Sequence, residues 1–526
     1  MHSLRLLVSR GYRGLVAPIV VLWILSVLLR LQTYDPRENV QDLDATYHVL
    51  LTVQALREAP PSVHHYLPIV NLARSPQQNL NFGSTVPDAR GNRFYTSFGS
   101  IGFLVPYAVL GAFHADANPQ NLMAMNFAIH LLATLLLALL VYEALGASAI
   151  SPELRGTATL LTACTYLFSI ETLFSHGLIY WHHSLFQPVW MLQLLFFLRV
   201  LRRWEGGEGA TRAQLAGLIV TSVLGPSIEW TGYIANLAIA GWLWWYARDS
   251  SADPARRTPR RLAIAVIAGA LLAGVTFLAH FALTIGIRPL VLALGKRAVA
   301  RDAAAGSLWG LVRGYYRSFL LLPLLALAAP LCVRAQSRRW PDVPEPLLAL
   351  VVVAAIPLVE NLVLMQHATE YTFDRLKAEI VLCVLLAIGL TQLRRGAQRA
   401  FAAAWIALVA ANAIYHPGRT RDISETLAHD RAVLDALQPV ARPCALYAVT
   451  GYARGWVYLT LHTNVAERIA NPEMLMRLAR VRGSCQAILL VGTSVGNEIY
   501  DWAGAVVFNP PDSLREFELQ TRARAP

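Results

Sequence analysis

RENVQDLDATY, Arg37–Tyr47, follows closely on the first apolar run of the chain, Gly14–Leu31. It places Asp42 and Asp44 where the chain has just left a stretch of membrane length. Acidic side chains at that depth are stable when they face water or a polar cleft. After them, in DATYHVLLTVQALRE, Tyr47, Leu50, Leu51 and Leu56 fall near helical spacing. The spacing predicts an amphipathic helix with Asp44 in its first turn. Helix capping explains either Asp alone as well as catalysis does. The case for catalysis rests on what else reaches the same side of the membrane.

Composition sets the class. Hydrophobic residues make up 55% of the chain and charged ones only 15%, and many runs reach the ~20 apolar residues that span a bilayer. The chain reads as a polytopic membrane protein. Its net charge of +12 is nearly all Arg, since Lys occurs only at Lys296 and Lys377. Much of the Arg sits in short loops between apolar runs, so the charge reads as topology and lipid contact, with no nucleic-acid partner. Cys164, Cys332 and Cys383 lie inside apolar runs, without zinc-type spacing. No N-x-Ser/Thr sequon occurs, which fits a bacterial source.

Arg5, Arg10 and Arg13 hold the N-terminus in the cytoplasm, and Leu15–Leu29 reads as an uncleaved anchor. Residues 32–118 then form a long outer loop, of the kind that is usually functional. The loop ends on an apolar piece, Ser97–Phe113. This is ~17 residues long and carries Gly99, Gly102 and Pro106, short and broken for a span. Four later Arg-rich loops (LRRWEGGEGATR, YARDSSADPARRTPRR, CVRAQSRRW and LRRGAQR) all fall in the cytoplasm only if this piece does not cross. It therefore reads as an interfacial helix. The further spans are Asn121–Leu145, Gly156–Ser175, Ile179–Leu201, Leu215–Ile228, Gly232–Ala247, Leu262–Ile285, Phe319–Val333, Leu347–Met365, Ala378–Leu393 and Ala400–Tyr415. With the anchor they make about eleven, which sends the C-terminus outward.

This topology collects a set of polar groups on the outer side. SIETLFSHGLIYWHHS brings Glu171, His176, His182 and His183, and SIEWTGY brings Glu229. The loop after Ile285 brings Arg288, Lys296, Arg297, Arg301 and Arg313. ENLVLMQHATEYTFDRLK brings Glu360, His367, Glu370, Tyr371, Asp374, Arg375 and Lys377. Cations on the outer face break the positive-inside pattern and call for a partner there. A phosphate-bearing lipid fits, because Arg and Lys bind phosphate strongly. Successive residues on a helix point about 100° apart, so His182 and His183 do not suit one metal ion. An interfacial hydrogen-bonding pair is the simpler reading.

Residues 419–526 are polar. CALYAV, WVYLTL and QAILLVG read as strands and PEMLMRLARVR as a helix, which predicts a small α/β domain. GTSVGNE reads as a turn into a helix, too weak a signal for a nucleotide site. Cys444 and Cys485 each directly precede a strand. In an oxidising compartment their placement permits a disulfide, and two buried thiols is the alternative.

An N-terminal anchor, a long outer loop with early Asp residues and interfacial helices, then many spans: this layout resembles the GT-C superfamily of membrane glycosyltransferases. It is similar to the bacterial aminoarabinose and protein mannosyl transferases. Asp42 and Asp44 followed by Tyr47 match the acidic residues and aromatic early in that family's first outer loop, and YTSFGSIGFLVPYAVLGAF is similar to its second interfacial helix. The chain departs from the family in having DLD where Asp-Glu is usual, and it lacks the WWD signature of oligosaccharyltransferases.

The resemblance implies an all-α polytopic domain over residues 1–418 and a periplasmic α/β domain after it, in a bacterial inner membrane. It implies an inverting enzyme that moves a sugar from a polyprenyl-phosphate donor to a glycan, lipid or protein acceptor at the outer face. Asp44 is then the expected base, with Asp42 second. Lys377, Arg375, Arg297 and Arg301 are donor-phosphate candidates. Glu171, His182, His183, Glu229, His367 and Tyr371 are acceptor or substrate candidates, and a divalent Mg or Mn ion would rest on Asp42 and Asp44. A flippase for the same lipids also wants outward cations, but neither a repeat nor broken midplane helix pairs is visible. A membrane assembly factor with a partner-binding C-terminal domain is the third class.

Overall fold

The computed structural model of this chain describes residues 10–33, 43–72, 85–147, 150–176, 179–248, 257–300, 307–337 and 343–415, and in the C-terminal region 445–449, 464–467, 477–479, 486–495, 499–508 and 517–520. Helix α1 (Arg10–Thr33) covers the expected anchor. It exposes Val21, Leu25 and Leu28, as a lipid-facing helix does, and buries Arg30. Arg30 donates to the Leu173 and Thr172 carbonyls at 3.2 and 3.3 Å, so its buried charge is hydrogen-bonded.

The first loop holds α2 (Leu43–Glu58), the short α3 (Pro61–His64), the strands β1 (Thr85–Pro87) and β2 (Arg93–Tyr95), and α4 (Ile101–Ala112). α2 forms where the spacing predicts, with Asp44 in its first turn. It is covered more completely than an amphipathic surface helix. Ala45, Thr46, Tyr47, His48, Val49, Leu50, Leu51, Thr52 and Val53 are all buried. His48 packs edge-on against Tyr95 of β2 and tilts against Phe103 and Trp181, which closes the polar side.

The β1–β2 turn is made by Asp88, whose side chain accepts from the backbone N–H of Arg90 and of Asn92, each at 2.8 Å. Gly91 takes the positive φ of 87° that this turn requires. The two glycines that seemed to break the next apolar piece serve close packing. A Cβ on Gly99 would lie 2.4 Å from the Ser227 carbonyl oxygen, and one on Gly102 2.4 Å from the His182 ring.

The bundle follows as α5 (Pro119–Ala144), α6 (Pro152–Phe168), α7 (Ile170–Ser175), α8 (His182–Glu205), α9 (Arg212–Ile228), α10 (Thr231–Tyr246), α11 (Arg257–Ile285), α12 (Ile287–Ala300), α13 (Leu308–Phe319), α14 (Leu322–Ser337), α15 (Glu345–Ala354), α16 (Ile356–Val363), α17 (Met365–Glu370), α18 (Thr372–Leu376) and α19 (Glu379–Gln392). A last helix, α20, runs over Arg395–Tyr415. Polar caps with Pro at the first helical positions start α5 and α6: the Asn118 and Ser151 side chains accept from the N–H of Asn121 and Leu154. The bundle core is aromatic and aliphatic, with Trp190, Phe186, Phe197 and Trp405 fully buried.

Each expected span falls on helix, but membrane length is a stricter test. Six helices among the described residues are long and apolar enough to cross, or seven if the α13–α14 pair, bent by 93°, counts as one span. α6, α9, α10 and α19 have 17, 17, 16 and 14 residues, below the ~20 of a simple span. The expected span Gly156–Ser175 is split because the Ser169 backbone is extended and its side chain caps α7 through the Thr172 N–H.

In the C-terminal region β3 (Ala445–Val449), β4 (Asn464–Glu467), β5 (Gln486–Val495), β6 (Ile499–Phe508) and β7 (Phe517–Gln520) form one sheet in the order β4-β3-β5-β6-β7. β3 runs parallel to both β4 and β5, while β5–β6 and β6–β7 are antiparallel. The expected helix after GTSVGNE does not form. Gly492–Val495 ends β5 and Ile499 begins its hairpin partner. β-Branched and aromatic residues on both sides of the turn favour strand pairing. WVYLTL, Cys444 and Cys485 lie outside the described residues.

Candidate active site

Four parts of the chain meet at one cavity of about 290 Å³: Ser97 and Phe98 after β2, Glu229 and Trp230 between α9 and α10, Leu294 and Arg297 on α12, and Glu360, Leu364, His367 and Asp374 from α16 to α18. Local sequence builds each wall. Glu229 caps the C-terminal end of α9 in extended conformation, φ −146° and ψ 150°. α10 begins two residues later, and the turn closes this tightly only because residue 232 is glycine. A Cβ there would lie 2.3 Å from the Pro226 nitrogen and 2.4 Å from the Gly225 carbonyl carbon.

One wall is a buried charge cluster centred on Lys377. Its Nζ donates to Glu229 Oε1 at 2.8 Å, Thr231 Oγ1 at 2.8 Å and Glu360 Oε2 at 3.0 Å, and it lies 3.6 Å from Asp374 Oδ1. Thr231 in turn donates to Glu360 Oε2 at 2.6 Å. His367 Nδ1 bonds Asp374 Oδ2. A single ammonium faces three carboxylates and cannot neutralise them all. Burial pushes Glu229 up to about 7; the charges of Glu360 and Asp374 add to the shift, and Lys377 opposes it. Burial alone would lower Lys377, but the three carboxylates outweigh it and hold its pKa above the usual value. Glu229 Oε2 is buried and accepts no hydrogen bond from the described residues.

Arg297 supplies the cation of another wall. Its Nη2 donates to the Tyr95 hydroxyl at 3.1 Å and its guanidinium lies 4.9 Å from the centre of that ring, while Nη1 has no partner among the described residues. The Trp230 indole N–H is fixed on the Ser97 carbonyl at 2.6 Å.

The other expected site residues divide between this cavity and its supports. Lys377 is not an open phosphate ligand, because its three donors are taken by Glu229, Thr231 and Glu360. Arg375 is equally committed. Its Nε donates to Ser318 Oγ at 2.9 Å, its Nη1 to the Ala368 and Thr369 carbonyls, and the Ser318 hydroxyl donates in turn to Glu171 Oε2. Glu171 is thus a buried anchor for α7, α13 and α18 and does not line the cavity.

His182 stacks on Phe98 at 4.3 Å and His183 on Phe373 at 5.1 Å, so the two rings diverge as helical geometry requires. Tyr371 packs on His367 at 4.4 Å. Asp44 is placed by its backbone alone, and Asp42 and Arg301 lie outside the described residues. Glu360, Asp374 and Trp230 received no role from the sequence. Asp374 and Lys377, three apart in one helical turn, were the one local signal of the cluster. Among the described residues no group of three or more His, Cys, Asp or Glu side chains could hold a metal ion. The carboxylates that do converge surround Lys377.

No protein-family model matches the sequence, and no curated protein matches it. Solved structures do. The chain superposes on ArnT from Cupriavidus metallidurans bound to undecaprenyl phosphate with a TM-score of 0.56, at 12% identity, over 94% of this chain and 97% of that one. The chain shares its fold with that structure. The Archaeoglobus fulgidus oligosaccharyltransferase in complex with Zn and sulfate shares this fold, with a TM-score of 0.52, 13% identity, and coverage of 89% of this chain and 68% of that one. Its apo form superposes equally well, at 0.52 and 14% identity. The cavity lies where the first loop, through Ser97 and Phe98, meets the apolar bundle.

Proposed function

We propose that this chain transfers a sugar from a polyprenyl-phosphate donor to an acceptor hydroxyl at the outer face of the membrane. The observation that carries the reading is Arg297. It lines a cavity whose other polar wall is carboxylate and keeps a buried Nη1 unpaired among the described residues, within a fold shared with a protein solved bound to undecaprenyl phosphate. Guanidinium binds phosphate strongly, and a positive charge there stabilises the charge that develops as the phosphate leaves. The acceptor oxygen attacks the anomeric carbon while the carbon–oxygen bond to phosphate breaks, which inverts that carbon. A carboxylate takes the hydroxyl proton, and Asp44, in the first turn of α2, is the proposed group, with Asp42 beside it.

Arg375 and Lys377 serve this reading as supports of the carboxylate wall, and Arg297 takes the phosphate role alone among the described cations that were expected to hold it. The expected Mg or Mn ion concerns Asp42 and Asp44, whose side chains lie outside the described residues. The test is transfer of radiolabelled sugar from undecaprenyl-phosphate donors by the purified, reconstituted protein. Arg297→Ala should weaken donor affinity by roughly 10–150-fold, the worth of a charged hydrogen bond. Unchanged affinity would remove phosphate from this cavity.

A further inference from the structure

Among the described residues lining this cavity, Ser97, Glu229 and Arg297 each keep a buried polar atom without a protein partner, and of these Glu229 and Arg297 are the charged ones. Glu229 is 6% exposed and its Oε1 already receives the Lys377 ammonium. Its Oε2 is buried without a donor among the described residues, and Glu229 lines this cavity. Buried polar atoms in folded proteins are nearly always hydrogen-bonded, by protein, water or ligand. Counter-charge to Lys377 explains Oε1 and leaves Oε2 unexplained. A ligand bridging the cavity must therefore offer an anionic group to Arg297 and an O–H or N–H to Glu229.

Size narrows the ligand further. A cavity of about 290 Å³ stands at the bottom of the ~300–1,000 Å³ range of small-molecule sites. It suits one glycosyl ring and its phosphate and is too small for a long oligosaccharide. Trp230 and Phe98 line it with aromatic surface, which suits the apolar face of a sugar ring. We infer that Glu229 is the residue that reads the transferred sugar, a single glycosyl unit, by accepting a hydrogen bond from one of its ring substituents. The inference rests on the donor reading above. It makes Glu229 a specificity-determining residue and leaves proton transfer to the acidic residues of the first loop.

The experiment measures binding to the reconstituted protein at pH 7.5 of undecaprenyl phosphate, and of the same lipid phosphate carrying glucose, mannose, N-acetylglucosamine or 4-amino-4-deoxyglucose. The wild type should bind at least one glycosylated lipid more tightly than the bare one. Glu229→Gln should remove roughly 10–100-fold of that gain and leave bare-lipid affinity within about twofold. A hydroxyl and an ammonium are told apart by which sugar shows the gain. Arg297→Ala should weaken every probe.

No gain for any sugar in the wild type would overturn the inference and leave Arg297 as a phosphate site with water on Glu229. This measurement does not depend on the variant folding. Equal weakening of bare and glycosylated lipid by Glu229→Gln would overturn it too, making Glu229 a support of the Lys377 cluster. Failure of the wild type to bind undecaprenyl phosphate at all would instead sink the donor reading itself.

Discussion

Lys377 and Glu229, 148 positions apart in the chain, form a 2.8 Å ion pair that is almost fully buried at the wall of the cavity. The pair welds the turn between α9 and α10 to the segment after α18, and Glu360 and Asp374 complete its surroundings. Buried ions are costly to desolvate, and such a cluster persists only if nearly every donor and acceptor is used. Among the described residues, Glu229 Oε2 is a buried acceptor of this cluster left without a donor.

Lys377→Ala should destabilise the protein severely. Removing one partner strands buried charge and typically costs about 3–5 kcal/mol. Thermal unfolding in detergent should show a clear drop for this variant. A midpoint equal to wild type would mean that the carboxylates reach water and that the cluster is not a structural unit.

Glu229 gives a pH dependence whose sign follows from its raised pKa. The folded state holds this proton up to about 7, against 4.5 in the ordinary carboxyl group. Between those values the unfolded chain has released the proton and the folded chain has not, so this group makes the protein less stable as pH rises from 4.5 to 7. Lys377 stays charged throughout and adds no slope there. The groups facing Glu229 are Lys377, Glu360 and Asp374 from the cluster, with Arg297 and His367 also lining the cavity. Unfolding midpoints at pH 5 and 7.5 should lie closer together in Glu229→Gln than in the wild type. Equal spacing in the two proteins would place the titration elsewhere.

Gly232→Ala tests how tightly the turn is built. The added Cβ meets backbone atoms of Gly225 and Pro226 inside 2.5 Å, so the turn must open and carry Glu229 and Thr231 with it. Overpacking of this kind costs about 1–3 kcal/mol, and sugar-donor binding should fall in parallel. Stability and binding both at wild-type level would show that the turn yields freely.

Asp44→Asn separates a base from a cap. Asn caps a helix nearly as well as Asp but accepts no proton, so loss of a general base should lower transfer ~10²–10⁴-fold in a protein that still folds and binds donor. Asp42→Asn should cost less. Full turnover in both variants would take the first loop out of the chemistry and pass the proton to the carboxylate wall.

Residues close together in sequence account for much of the architecture. The apolar runs, read by length, put helix at every expected span, and the spacing of Tyr47, Leu50 and Leu51 put α2 where it forms. The Arg-rich loops and the glycines of Ser97–Phe113 argued for a piece that does not cross, and the helix over it, α4, has 12 residues, fewer than the ~20 of a simple span. Hydrophobic length and helical period are local properties, which a linear chain displays directly. The sequence also marked Glu229, His367, Arg297 and Lys377 as site residues, because polar groups flanking apolar runs are few.

It did not show which of them touch. Lys377 and Arg375 looked like phosphate ligands because a cation in a sequence carries no sign of its partner. Only the packing of α9, α10, α16 and α18 surrounds Lys377 with three carboxylates, and only the packing of α7 and α13 brings Ser318 and Glu171 to Arg375. Whether a charge is free or spent depends on contacts between separate elements, up to 148 positions apart for Lys377 and Glu229, and those are decided by tertiary structure.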